Sequence, residues 1–317
     1  MNRRTFVRNT FAGALAANLT GKFPLARAAG DEAQGSGAAK LRRVAVTTWS
    51  LHTLFPQTKE HGAKVEGEML DLRKFPELVA DRFHVHNLEL CSVHFESTES
   101  SYLNDLKENL RKAHSRVINM PVDYPHDWDG KGLSDPDDKQ WRWEISERKK
   151  WIDIAAQIGS QSIRPNPGGT AKMTDLSRPI AAYKELGEYG KTKGVKVIIE
   201  NHGNVAGKAE NIVAIIKGAG PQWVGALPDF GNWAEEVRYR GLEMVFPYAS
   251  TVCHARYETP AGAEMNGKLV TFDFARCVKI SQTAGFKGVY SAELASPGDP
   301  YAGTQKIIDE LIKYIQA

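Results

Sequence analysis

The feature that most constrains this chain is a regular alternation of short, β-branched or apolar runs with longer amphipathic stretches, from residue 41 to the C terminus. Such alternation is typical of repeated strand–helix units around a parallel sheet, because each parallel strand needs a long crossover before the next. Eight units can be counted. We predict strands at residues 44–49, 87–91, 116–120, 160–164, 195–200, 223–227, 250–254 and 288–293, and helices at 72–82, 101–114, 140–158, 176–193, 208–218, 233–243, 272–284 and 303–315.

Eight strands and eight helices favour one particular α/β architecture. Spread over about 280 residues, they match the usual size of a (β/α)8 barrel, so we predict a single (β/α)8 TIM barrel over residues 41–317. The alternative is an open, doubly wound sheet. No G-x-G-x-x-G sequence follows the first predicted strand, however, and no P-loop sequence occurs.

The N terminus has the features of an export signal. A twin arginine, Arg3-Arg4, precedes a weakly apolar run over residues 11–19, and residues 26–28 form a small-x-small cleavage pattern. This arrangement resembles a twin-arginine signal, so we expect a signal peptide at residues 1–28, a flexible linker at 29–40, and an exported or periplasmic protein. The apolar run is too short for a membrane-spanning helix, and we expect no stable membrane insertion.

The net charge argues against a nucleic-acid partner. The chain carries 41 basic and 38 acidic residues, but five of the basic residues and none of the acidic ones lie within the first 28. The remaining chain, with 36 basic and 38 acidic residues, offers no basic surface for a phosphate backbone. The three cysteines show no C-x-x-C spacing, and Cys91 and Cys253 lie in apolar runs, where a buried thiol is expected.

Four polar side chains stand at the ends of consecutive predicted strands: Glu200, Asp229, His254 and Glu293. In a barrel such side chains point into one shared mouth. Three carboxylates around one imidazole repel each other strongly unless a cation lies between them. An oxygen-rich set suits a divalent ion such as Mn²⁺, Mg²⁺ or Co²⁺ rather than Zn²⁺. Taken singly, each residue has an alternative role as a surface or ion-paired group.

The same order of ligands resembles a known family. Glu, Asp, His and Glu at the ends of strands five to eight, with IENHG at residues 199–203 and PDFGN at 228–232, resemble the xylose isomerase-like TIM barrels of the sugar phosphate isomerase/epimerase group. The resemblance covers most of the chain from residue 41. It implies that the four residues are metal ligands and that Glu200 and Glu293 also act as catalytic acid and base. Two places depart from the pattern: Asn232 replaces the usual histidine, and residues 255–258 read ARYE, with Arg256, where many relatives carry a lysine–aspartate pair.

A second set of residues is predicted to contact substrate. They share positions near the strand ends or at the barrel rim, and they comprise Trp49, His94, Arg164, His202, Asn232 and Arg256. An arginine offers a fixed fork of donors for hydroxyls or a carboxylate, and a tryptophan offers an apolar face to a sugar ring. For Arg164 an ion pair within the barrel is an equal alternative, and for His94 a loop position without function.

Three functions remain open. The first is a metal-dependent isomerase or epimerase that converts an unphosphorylated keto-sugar or related polyol through an enediolate. The second is a lyase that uses the same metal and glutamate base on a 3-keto-glycoside. The third is a sugar-binding barrel without catalysis, which Asn232 favours. In each case the expected partner is a small sugar, and a homo-oligomer is left open.

Overall fold

The computed structural model describes residues 37–61, 68–256, 258–260, 269–295 and 297–316. The predicted signal peptide and most of the predicted linker lie outside these residues. The described chain begins with a short helix at residues 37–41. Lys40 Nζ donates a hydrogen bond to the Ile312 carbonyl at 2.7 Å, which joins this segment to the C-terminal helix.

The strands are short and almost wholly buried. Eight of them form one parallel sheet, and the other two form a separate antiparallel pair. In chain order they are β1 (Val44–Thr47), β2 (Asn87–Glu89), β3 (Arg116–Val122), β4 (Ser162–Pro165), β5 (Lys196–Glu200), β6 (Val224–Leu227), β7 (Val252–Ala255), β8 (Glu258–Pro260), β9 (Leu269–Thr271) and β10 (Val289–Ala292).

The parallel sheet curves into a nearly closed barrel. Its order is β6-β5-β4-β3-β2-β1-β10-β7, and parallel bridges between Ala226 and Ala249 and between Asp229 and His254 join the two ends. His254 N donates to the Pro228 carbonyl at 2.9 Å at this closure. The predicted (β/α)8 barrel is confirmed.

A helix follows each barrel strand along the chain. They are α1 (Phe75–Phe83), α2 (Ser100–Lys112), α3 (Asp138–Ile158), α4 (Ser177–Lys193), α5 (Ala209–Ala219), α6 (Glu235–Val245), α7 (Phe274–Thr283) and α8 (Pro300–Tyr314). Asp137 and Asp273 cap the N termini of α3 and α7, since their side chains accept bonds from backbone N–H groups. Gly159 ends α3 in the left-handed conformation. No helix within the described ranges is long and apolar enough to cross a membrane.

Some element boundaries differ from the predicted ones. The first strand ends at Thr47 rather than at residue 49, because the Thr47 side chain accepts a bond from Trp49 N and starts a 3₁₀ turn, Thr48–Leu54. The β8–β9 pair was not predicted: it lies between β7 and α7, where the sequence analysis predicted neither a strand nor a helix.

The barrel has two apolar regions. A large core between sheet and helices contains Val197 and Ile199, whereas a small inner layer consists of Ala45, Ile118, Ile198, Leu227, Val252 and Val289. Successive side chains of a strand point to opposite faces. Positions two or four residues beyond the inner layer therefore also point into the barrel. The buried, unpaired state of all three cysteines agrees with the prediction for Cys91 and Cys253.

Gly225 marks a close approach within this inner layer. A Cβ atom at this position would lie 2.9 Å from the Tyr248 carbonyl oxygen and 3.5 Å from Ile198 Cγ2. We expect Gly225→Ala to lower the free energy of unfolding by about 1–3 kcal/mol, because the backbone of Tyr248 must move. Urea unfolding measures this change. Gly207→Ala is the control, since no heavy atom lies within 4 Å of its added Cβ, and equal stability of both variants would contradict the close packing.

Candidate functional site

The four strand-end residues converge at the mouth of the barrel. Glu200 ends β5, Asp229 follows β6 by two residues, His254 lies in β7, and Glu293 follows β10. One ligand atom from each lies within 4.8 Å of all the others. His254 Nδ1 is central: it is 3.0 Å from Glu200 Oε1, 2.9 Å from Glu293 Oε2 and 3.6 Å from Asp229 Oδ2. We call these four residues the acidic centre.

Two buried guanidinium groups border the acidic centre. Arg164 Nε lies 3.0 Å from Glu200 Oε2, and the same guanidinium contacts Asp123. Arg256 Nη2 lies 2.7 Å from Asp229 Oδ2 and also contacts Glu293 Oε2. Both arginines predicted to bind substrate are therefore internal counter-ions in this structure.

Arg256 depends on a glycine for its position. A Cβ at Gly231 would lie 2.5 Å from Arg256 Cδ and 2.9 Å from Cγ. Because glycine has no side chain, the arginine stem passes directly over the loop that follows β6. This close approach allows the guanidinium to reach the carboxylates of Asp229 and Glu293.

The charged groups of the centre stabilise one another. Burial acts to raise the pKa of Glu200, but Arg164 and His254 outweigh it and lower this pKa to about 2. Burial also opposes ionisation of Glu293, yet Arg256 and His254 hold its pKa well below the ordinary value. Burial disfavours the imidazolium of His254, but Glu293, Glu89 and Glu200 raise its pKa well above the ordinary value. Both glutamates are therefore ionised at neutral pH.

Glu89 sets the orientation of His254. It ends β2, is wholly buried, and its Oε1 lies 2.8 Å from His254 Nε2. Asn119 Nδ2 donates to the same oxygen at 2.8 Å. A carboxylate on one ring nitrogen directs the other toward the ligand side, so Nδ1 faces the carboxylates. Sequence reasoning missed Glu89, although an acidic residue within an apolar strand was an available signal.

Hydrogen bonds with the Asn201 side chain and with the backbone that follows Asp229 fix this residue in place. Asn201 Oδ1 accepts from Asp229 N at 2.6 Å, and Asn201 Nδ2 donates to the Asp229 carbonyl at 3.1 Å. Asp229 Oδ1 accepts from Gly231 N and Asn232 N at 2.6 and 2.8 Å. These bonds occupy Oδ1 and leave Oδ2 facing the acidic centre. Asn201 was quoted only as part of a motif, and its structural role was not predicted.

The acidic centre fits a divalent cation. Glu200 Oε2 and Asp229 Oδ2 are buried and accept no hydrogen bond, so only ion-pair contacts compensate them. Three carboxylates and one imidazole nitrogen form an oxygen-rich donor set. A second cluster of His126, Asp127 and Glu144 offers two carboxylates rather than three, and the Arg148 guanidinium contacts both of them.

Comparison with known proteins assigns the chain to a family. Residues 83–317 match the family model described as xylose isomerase-like TIM barrel. The chain belongs to the xylose isomerase-like TIM barrel family. The matched segment contains the whole acidic centre and Glu89. A comparison with curated proteins found no match.

Solved structures of the xylose isomerase-like fold resemble this chain at low identity. A xylose isomerase-like TIM barrel protein from Mycobacterium smegmatis in complex with magnesium is 13% identical, with a TM-score of 0.62 over 86% of this chain and 96% of that one. The IolI protein with a bound zinc atom is 14% identical, with a TM-score of 0.65 over 87% and 100%. D-psicose 3-epimerase from Clostridium cellulolyticum H10, solved with D-tagatose, is 14% identical, with a TM-score of 0.59 over 86% and 96%. At this identity the likeness establishes the fold.

Two further predicted substrate residues lie beside Glu200. Asn232 Nδ2 donates to Glu200 Oε1 at 3.0 Å, so this departure from the usual histidine directly contacts the centre of this xylose isomerase-like barrel. His202 Nδ1 is 3.8 Å from Glu200 Oε2, and its side chain is 41% exposed. Its ring meets Trp128 edge-on, with centroids 4.7 Å apart. Substrate contact by either residue stays a prediction.

The structure corrects the role predicted for His94. The side chain is wholly buried, and both ring nitrogens bond to threonine hydroxyls: Nδ1 to Thr48 at 2.8 Å and Nε2 to Thr58 at 2.9 Å. The ring also stacks on Phe55 with centroids 4.2 Å apart. His94 has no nitrogen left for a substrate. The 3₁₀ turn Ser92–His94, which follows β2, directs the imidazole inward. The path of this loop therefore determines that His94 is buried.

Trp49 is likewise involved in packing. Its ring stacks on His52 with centroids 4.9 Å apart and lies 6.2 Å from the ring of His94. The side chain is only partly buried, so one region of the indole still faces solvent. The structure therefore assigns Trp49 a stacking role within the rim, and substrate contact by this residue stays a prediction.

We expect His94 to make stability fall at mildly acidic pH. Burial, with a smaller effect of His52, lowers its pKa from 6.5 to about 3. Between these two pH values His94 is protonated in the unfolded chain and neutral in the folded chain. Stability is therefore lost as the pH falls below 6.5. Between pH 7 and pH 5 this single group contributes a loss of about 2 kcal/mol.

Urea unfolding of wild type and His94→Gln at both pH values measures the effect. The variant should show a smaller loss between the two pH values, whatever its absolute stability. Identical pH dependence in the two proteins would contradict the assignment of a neutral, buried imidazole.

Proposed function

We propose that this barrel is a divalent-metal-dependent sugar isomerase or epimerase that acts on an unphosphorylated keto-sugar or related polyol through an enediolate. One observation carries the proposal: Glu200, Asp229, His254 and Glu293 present ligand atoms within 4.8 Å of one another in a buried mouth. The D-psicose 3-epimerase and L-ribulose 3-epimerase folds among the similar structures support it. The twin-arginine sequence at residues 3–4 supports an exported protein, which suits an unphosphorylated substrate.

The metal ligands we propose are one oxygen each from Glu200, Asp229 and Glu293, with His254 Nδ1. Held by these residues, a divalent ion would supply a Lewis acid for a substrate carbonyl and would lower the barrier to proton removal at the adjacent carbon. The donor set favours Mn²⁺, Mg²⁺ or Co²⁺. Similar structures were solved with magnesium and with zinc.

Glu200 and Glu293 are the proposed general base and general acid. Both are ionised and lie within 3.0 Å of the same imidazole nitrogen. Arg164 and Asn232 hold Glu200, and Arg256 holds Glu293, so each carboxylate has a fixed orientation. One ionised glutamate removes the proton next to the carbonyl and becomes a carboxylic acid, which returns that proton to the neighbouring atom in an isomerase. In an epimerase the other glutamate takes a proton from solvent and delivers it to the opposite face. Either order of the two residues fits this geometry.

Arg256 should oppose metal binding, because its guanidinium occupies the same oxygens of Asp229 and Glu293 that a metal would use. We expect Arg256→Gln to bind Mn²⁺ at least about tenfold more tightly than wild type, which corresponds to about 1.4 kcal/mol. Isothermal titration calorimetry measures the affinity. Without metal the variant should be less stable, since it leaves buried carboxylates uncompensated, and Mn²⁺ should restore its melting temperature.

Arg142→Gln is the matched control for Arg256→Gln. Arg142 is exposed and pairs with Glu185 at 3.4 Å, away from the acidic centre. Its loss should leave Mn²⁺ affinity unchanged. Equal Mn²⁺ affinity in wild type and Arg256→Gln would mean that Asp229 and Glu293 do not bind the ion.

Loss of either glutamate should abolish proton exchange. We expect Glu200→Gln and Glu293→Gln to slow the incorporation of solvent deuterium into free ketoses by about 10²–10⁴-fold, the usual contribution of a general acid or base. NMR of a ketose panel in D₂O with metal-loaded protein measures the exchange. Glu235→Gln, at the exposed start of α6, is the control. Full exchange in either site variant would refute the assigned roles.

The same experiment separates the alternative functions. Deuterium uptake by a 3-keto-glycoside with release of its aglycone would identify a lyase. Sugar binding by the metal-loaded wild type without exchange of any substrate carbon proton would identify a non-catalytic barrel. Exchange without elimination supports the isomerase or epimerase.

A further inference from the structure

A large aromatic side chain is left at the surface next to the acidic centre. Trp128 is 42% exposed, although burial of an indole is strongly favourable. Its ring meets His202 edge-on at a centroid distance of 4.7 Å. His202 Nδ1 in turn lies 3.8 Å from Glu200 Oε2. Trp128 is therefore one side chain away from a proposed catalytic residue.

The loop that carries Trp128 is firmly anchored. The preceding residue, Asp127, is wholly buried and pairs with Arg148 Nη2 at 2.6 Å. Asp127 Oδ2 accepts from Tyr124 N at 2.9 Å, and the Asp127 carbonyl accepts from Asn204 Nδ2 at 3.0 Å. The last bond joins this loop to the loop after β5. The backbone that carries the exposed indole is thus anchored on both sides of the turn.

The cluster of His126, Asp127, Glu144 and Arg148 has a role in this arrangement. Arg148 contacts both Asp127 and Glu144, and His126 Nε2 lies 2.6 Å from Glu144 Oε1. None of these contacts reaches the acidic centre. What they do is fix the turn Pro125–Trp128 against α3. A buried ion network that holds a surface tryptophan reduces the entropy cost of binding a ligand to it.

We propose that Trp128 and His202 form a subsite for a second ring of the substrate, a pyranose linked to the keto-sugar that reacts at the acidic centre. This inference rests on the proposed function and names its substrate class: keto-disaccharides and other ring-bearing ketoses. An indole face packs against the C–H face of a pyranose, while the half-exposed His202 offers a hydrogen-bonding edge to ring hydroxyls. The contacts between Trp128 and the acidic centre run through His202, so a ring linked to the reacting keto-sugar is the part of the substrate that we expect to meet Trp128.

Trp143 provides a matched control. It is also 42% exposed and lies in the nearby helix α3, but its ring contacts are with Tyr124 and His126 rather than with His202. Loss of Trp143 removes equal exposed aromatic surface without touching the proposed subsite.

The test compares the binding of D-fructose with that of three glucosyl-fructoses: turanose, leucrose and isomaltulose. Isothermal titration calorimetry uses Mn²⁺-loaded wild type, Trp128→Ala, Trp128→Phe and Trp143→Ala, each checked for folding by circular dichroism. We expect at least one disaccharide to bind wild type at least tenfold more tightly than fructose. Trp128→Ala should lose this gain and keep its fructose affinity, Trp128→Phe should retain part of the gain, and Trp143→Ala should retain all of it.

Several results would overturn the subsite. These are equal affinity for fructose and all three disaccharides, an unchanged gain in Trp128→Ala, or no binding of any of these sugars to wild type. The proposed function is judged separately by deuterium exchange. A Trp128-dependent gain without exchange would support the subsite and refute catalysis, whereas exchange without the gain would support catalysis and refute the subsite.

Discussion

Repulsion between carboxylates is the constraint on which this structure depends. Glu89, Glu200, Asp229 and Glu293 are all nearly or wholly buried inside one barrel, where like charges at close range are costly. The chain meets this cost with three cationic or protonatable groups, Arg164, His254 and Arg256. The resulting network holds every carboxylate in a fixed direction. In the proposed function, a bound divalent ion would replace one of these internal cations.

The barrel places its apolar inner layer and its charged residues at different levels along its axis. The inner apolar layer includes Ile198, Leu227 and Val252, and the residues two positions beyond them are Glu200, Asp229 and His254. Alternation along each strand thus carries the inward direction from a packed layer to a polar one. The long loop after β3 adds a second feature, because its buried ion network supports an exposed tryptophan at the rim rather than a group of the acidic centre.

The sequence predicted the features that depend on local patterns, and it missed those that depend on contacts between residues far apart in the chain. Strand and helix positions follow from local periodicity, and the convergence of strand ends follows from the closed barrel, so Glu200, Asp229, His254 and Glu293 were found together. Glu89 was missed because its importance lies in a contact with His254, 165 positions away in the sequence. His94 was given the wrong environment for the same reason: Thr48 and Thr58, which bind its two nitrogens, come from the loop after β1.

The sequence by itself determined the barrel, its family and the four residues of the acidic centre, because periodicity and motif order are properties of neighbouring residues. Only the tertiary structure decided which groups neutralise that centre, which face of His254 points to it, and which tryptophan remains exposed beside it. Those outcomes depend on side chains from different strands and loops meeting in space, and Coulomb and hydrogen-bond energies change steeply with such distances. No local pattern encodes those distances.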